Sequence, residues 1–109
     1  MKRGQHEESI ALLTRMMKDL PSQPDFAFAR GETYRLRGQA ADLDAALADY
    51  QAAAAMGAEP PETHRGMGLI YRARKQWPEA KESFQRYIET APNAPDAPMI
   101  KSYLEEMGT

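Results

Sequence analysis

The chain has 109 residues, 42% of them hydrophobic and 28% charged, which is enough to bury one core and too little for two. Its 14 lysines and arginines against 16 acids leave a net charge of −2, so overall charge provides no pull toward nucleic acid. With no cysteine, a disulfide framework, a thiolate metal site and a cysteine nucleophile are all excluded.

Alanine, leucine, methionine, glutamate, lysine and arginine dominate, valine is absent, and no stretch alternates apolar with polar residues, so the expected class is all-α. The segment 5–20, QHEESIALLTRMMKDL, is the first predicted helix, with Ile10, Leu13 and Met17 as its apolar stripe. LPSQPD ends it, and further helices are predicted over 25–37, 42–56, 61–74, 78–91 and 96–107, separated by RGQAAD, MGAEPPE, RKQWP and APNAPDAP. Asp25, Asp42 and Asp96 are the expected N-caps, Pro61, Pro78 and Pro98 suit first turns, and Gly57 suits the end of the third helix. Short loops predict antiparallel neighbours.

The second to fifth helices repeat. Gly31 and Tyr34 recur as Gly68 and Tyr71 after 37 residues, whereas Ala46 and Tyr50 recur as Ala80 and Phe84 after 34, which puts three extra residues in the turn RGQAAD. The underlying unit is a 34-residue helix–turn–helix and resembles the tetratricopeptide repeat family. Gly68, Tyr71, Ala80, Phe84 and Pro92 carry that resemblance in one copy, and Gly31, Tyr34, Ala46, Tyr50 and Ala58 in the other. The resemblance implies a right-handed stack of antiparallel helical hairpins in one domain over 1–109: a half repeat at 5–20, a full repeat at 25–58, a second at 61–92 and a capping helix at 96–107. Gly68 and Ala80 are expected to let the paired helices approach, with Phe84 and Tyr71 filling gaps toward the next unit. Trp77 stands where the family has tyrosine and is expected to cover the turn, the alternative being an exposed aromatic that binds a partner.

No catalytic constellation is visible. His6 and His64 are alone, Ser9, Ser22, Ser83 and Ser102 lack a nucleophile motif, and the Glu7-Glu8 and Glu105-Glu106 neighbours point about 100° apart on a helix. No metal spacing or phosphate cradle occurs, so neither enzyme activity nor a cofactor is expected. A stack of hairpins implies an inner face lined by first helices. With Gly31 and Gly68 held inward, that face carries Phe28, Glu32, Arg35 and Leu36 from one unit and Arg65, Leu69 and Arg72 from the other. Such a groove suits a protein or peptide partner with apolar and acidic character, Phe28 and Leu69 as anchors and the arginines on its carboxylates. An equal alternative is that the arginines are only solvated and Phe28 only fills the core.

The main functional expectation is therefore an adaptor binding a peptide or helix of another protein. One alternative is a C-terminal accessory module of a larger enzyme, such as a bacterial envelope zinc metallopeptidase. Another is homodimerisation through Ile10, Leu13 and Met17. No apolar run approaches the roughly 20 residues that span a bilayer, and MKRGQHEESIALLTRMM lacks the apolar core of a secretion signal. A soluble protein without direct membrane insertion is expected, cytoplasmic by default and periplasmic or in the envelope if it belongs to a longer exported chain.

Overall fold

The computed structural model describes residues 3–108, all of whose regular structure is helical: α1 (Arg3–Asp19), α2 (Pro24–Arg37), α3 (Asp42–Met56), α4 (Glu62–Ala73), α5 (Trp77–Thr90) and α6 (Ala97–Glu106). These limits lie within two residues of the sequence-based ones because proline and glycine mark the ends. Pro24, Pro78 and Pro98 occupy first turns, where the missing N–H would have found no partner. Gly38 and Gly57 close α2 and α3 in the left-handed region, at φ 66° and 89°, with the Gly38 N–H returning to the Tyr34 carbonyl.

The expected N-caps need correction. Gln23 precedes α2 and Asp25 lies in its first turn, because Pro24 already supplies the first helical residue. Asp42 is the first residue of α3, after Ala41 at φ 68°, and its carboxylate reaches back to the Gln39 N–H at 2.9 Å. Asp96 does stand at the N-cap position of α6, but its carboxylate is engaged by other side chains. Pro61 caps α4 from outside its first turn.

By proximity along the backbone the chain divides into two compact units, Met1–Pro60 and Pro61–Thr109. In the first, α2 packs on both α1 and α3. Its centre is Ala27, Gly31, Ala46, Tyr50 and Ala53, all buried. The α2–α3 hairpin is antiparallel, as the pairing of Arg37 with Asp42 near the turn and of Arg30 with Asp49 farther from it requires. In the second unit α5 packs on both α4 and α6 around Ala80, Phe84, Tyr87 and Ile100. Leu69, Tyr71, Tyr103 and Leu104 close over that cluster.

The two helical glycines explain the repeat. A Cβ on Gly31 would lie 3.1 Å from Cδ1 and Cε1 of Tyr50 and 3.2 Å from the Ala46 carbonyl oxygen. A Cβ on Gly68 would lie closer than 3.0 Å to Cδ1 and Cε1 of Phe84. In both units, then, the aromatic ring of the second helix rests on the glycine of the first. The Phe84 ring is wholly buried, on Gly68 of its own hairpin and against Tyr103 of α6, the helix that follows that repeat. Glycine costs roughly 1 kcal/mol of helix propensity relative to alanine. Full burial of an aromatic ring, worth about 1.5–3 kcal/mol, outweighs that cost.

Candidate interaction surface

On α2, Phe28 is half-buried, its ring tilted 42° against Tyr50 with centroids 6.1 Å apart. One side of the ring thus packs into the core and the other remains accessible. Leu36, the penultimate residue of the helix, is 61% exposed. Between them lies a polar knot. The Tyr50 hydroxyl donates to Oε1 of Glu32, while Arg35 donates through Nε to the Tyr50 hydroxyl at 3.0 Å and through a terminal nitrogen to Glu32 at 3.1 Å. Burial, then the neighbouring Glu32 carboxylate, push the Tyr50 hydroxyl well above the ordinary tyrosine range, so it remains a donor.

The corresponding residues of α4 are also engaged. Arg65 donates to Asp96 at 2.9 Å and lies over the Tyr87 ring, which itself donates to Asp96 at 2.6 Å. Burial would raise the Asp96 carboxyl, but the bonds from Tyr87 and Arg65 prevail and hold it below the usual carboxylate value. Arg72 stacks on Tyr103, 3.9 Å from the ring centroid, and donates to Glu106 at 3.2 Å. Leu69 is half-buried against the Phe84 cluster. Arg35, Arg65 and Arg72 each hold an acid of their own unit.

Two further arginines escaped sequence reading. Arg30 grips both oxygens of buried Asp49 at 2.7 and 2.8 Å and donates to Thr14 at 3.1 Å, tying α1, α2 and α3 together. Arg37 grips Asp42 in the same two-pronged way, both bonds 2.8 Å. The bonds from Arg37 lower the Asp42 carboxyl, helped by the Gln39 N–H. The only advance signal was the presence of arginine on a first helix and aspartate on a second.

Ile10, Leu13 and Met17, expected to be left uncovered, are half-buried in the unit where α1 packs on α2. Leu12 and Leu20 are the apolar side chains of this region that stay outside, 57% and 52% exposed. Trp77 opens α5 and is 43% exposed, lining a cleft with Arg72, Ala73, Lys75, Glu106 and Met107. The indole lies beside residues of the α4–α5 turn and forms one wall of this cleft.

Residues 38–105 match the model of the tetratricopeptide repeat family, from the turn after α2 to the last turn of α6. The chain belongs to the tetratricopeptide repeat family. Repeats of this family are in general protein-interaction modules. No curated protein matches the chain. Among the described residues no helix is long and apolar enough to cross a membrane.

Proposed function

We propose that this tetratricopeptide repeat protein binds a peptide or helix of another protein on the exposed face of a first helix, α2 in one unit or α4 in the other, with apolar contact leading and acidic contact second. The observation that carries this reading is Leu36, 61% exposed on the helix that also bears half-buried Phe28. A large aliphatic side chain held on a packed helix is pre-organised for contact, and its desolvation by a partner is worth about 1.5–3 kcal/mol. Arg35 and Arg65 are tied into half-buried knots and contribute mainly shape. Arg72 is different. Its pair with Glu106 is exposed, at 36% and 59%, and such pairs are worth about 0–1 kcal/mol, so a partner's carboxylate can take the place of Glu106.

The test is a parallel pull-down with the wild-type chain and Leu36→Ser, followed by titration of the proteins that the variant loses. Leu36→Ser and Phe28→Ala should each weaken binding at any salt concentration, and Arg72→Gln only at low salt. A partner bound equally by all three variants would rule out these faces.

A further inference from the structure

The cleft walled by Trp77 is separate from the Leu36 face and lies wholly in the second unit. It encloses about 540 Å³, within the range of small ligand pockets, between the end of α4, the turn into α5 and the end of α6. Its apolar walls are Ala73, the exposed indole of Trp77 and half-buried Met107. Its charged groups are Arg72, Lys75 and Glu106. Arg72 and Glu106 neutralise one another. Lys75 has no ion pair among the described residues, which leaves the cleft with one uncompensated positive charge in a chain whose net charge is −2.

Lys75 also stands where a lysine costs the fold something. Its φ is 60°, in the left-handed region that a side chain disfavours. The corresponding residue of the other repeat, 37 positions earlier, is Gly38 at φ 66°. The turn therefore asks for glycine and is made here with a lysine whose side chain lines the cleft.

We infer that this cleft docks a short segment of a partner protein in which an aromatic or long aliphatic side chain is flanked by aspartate or glutamate. The apolar side chain lies against Trp77, Met107 and Ala73, and the flanking carboxylate meets the Lys75 ammonium. A nucleic acid fits poorly, because a phosphate backbone needs a run of cations and here Glu106 sits on the rim. The inference extends the interaction role to a second surface and does not depend on Leu36.

Trp77 is the only tryptophan of the chain, so its fluorescence reports on the cleft alone. The probe is the peptide acetyl-GSEDFLDESG-amide, compared with its uncharged counterpart GSQNFLNQSG and its apolar-depleted counterpart GSEDSSDESG. The charged, apolar peptide should shift the indole emission saturably, and both counterparts should bind more weakly. Lys75→Gly keeps the turn, since glycine adopts that φ freely, and should retain the wild-type melt while weakening the probe roughly 2- to 5-fold at low salt. That difference should vanish in molar salt. Met107→Ser should weaken it about tenfold at any salt, and Leu36→Ser should leave it unchanged.

The inference is overturned by no saturable shift, by equal binding of the uncharged peptide, or by a Lys75→Gly variant that melts normally and binds like wild type. It is also overturned if Leu36→Ser alone abolishes binding, which would place the peptide on the first-helix face. An emission shift that grows with protein concentration and needs no peptide would assign the cleft to a second copy of the chain, and would equally overturn it.

Discussion

Alanine at position 68 is the sharpest test of how the hairpins are packed. By helix propensity alone, Gly68→Ala should stabilise α4 by roughly 1 kcal/mol. The structure predicts the opposite sign. The new methyl carbon would fall closer than 3.0 Å to two carbons of the Phe84 ring and 3.1 Å from a third. Phe84 is completely buried beside Ala80, Tyr87 and Ile100, with Tyr103 tilted against it at 5.9 Å, so the ring has no solvent side to retreat toward. Overpacking of this kind costs about 1–3 kcal/mol, and a contact this short belongs at or above the upper end, leaving a net loss of about 2 kcal/mol after the propensity gain. At roughly 4–8 °C per kcal/mol for a small domain, the thermal midpoint followed by circular dichroism should drop by about 10 °C. Gly31→Ala is the internal control, because its contacts at 3.1 and 3.2 Å need only a few tenths of an ångström of relief. Propensity and crowding should nearly cancel there. If Gly68→Ala melts at or above wild type, or if the two variants behave alike, the ring-on-glycine contact is not what sets the helix spacing.

Arg30→Lys should cost about 1–3 kcal/mol in chemical denaturation, since a lysine cannot reproduce the two-pronged bond to buried Asp49 and also reach Thr14. A loss no larger than that of Arg15→Lys on the surface would argue against the clasp. The lowered carboxyl of Asp96 adds stability that is fully present above its unfolded value near 3.8 and is lost as pH falls through its still lower folded value. Asp96→Asn should therefore be less stable than wild type at neutral pH and lose less of its stability between pH 5 and acid, and parallel pH profiles would contradict this. Tyr50→Phe should cost about 1–2 kcal/mol by depriving Glu32 and Arg35 of the hydroxyl, and the same change in a Glu32→Leu background should cost measurably less; strict additivity would show that the hydroxyl and the carboxylate act independently.

The backbone was readable because its signals are local. Pro24, Pro78, Gly38 and Gly57 act on their own φ and on the hydrogen bonds of one turn, so helix limits followed from position alone. The spacing of Gly31 to Tyr50 and of Gly68 to Phe84 likewise exposed the hairpin. The side-chain pairs were not readable, for a geometric reason. A guanidinium reaches several ångströms from its backbone, and its acid can lie on any element that packs nearby: five residues on for Arg37 and Asp42, 31 for Arg65 and Asp96, 34 for Arg72 and Glu106. The partial exposure of Trp77 has a local cause as well: a helix-opening residue beside a left-handed turn has neighbours on too few sides to bury an indole fully.

The two repeats show how the same frame carries a polar knot in one unit and an apolar one in the other. Shifted by the repeat, Tyr50 becomes Phe84, Glu32 becomes Leu69, and Arg35 remains an arginine, Arg72. The first two changes belong together. A buried hydroxyl needs an acceptor and finds Glu32; a phenyl ring has no hydroxyl, so an acid at that place would lose its donor, and Leu69 instead packs with the ring in the apolar cluster. The retained arginine then has neither of its former partners. In the first unit Arg35 closes the knot with Tyr50 and Glu32, whereas in the second Arg72 turns to α6, stacking on Tyr103 and bonding to Glu106. That redirection links α4 to the end of α6 through an exposed pair and builds one rim of the Trp77 cleft. The difference between tyrosine and phenylalanine inside the core thus decides where a surface charge points.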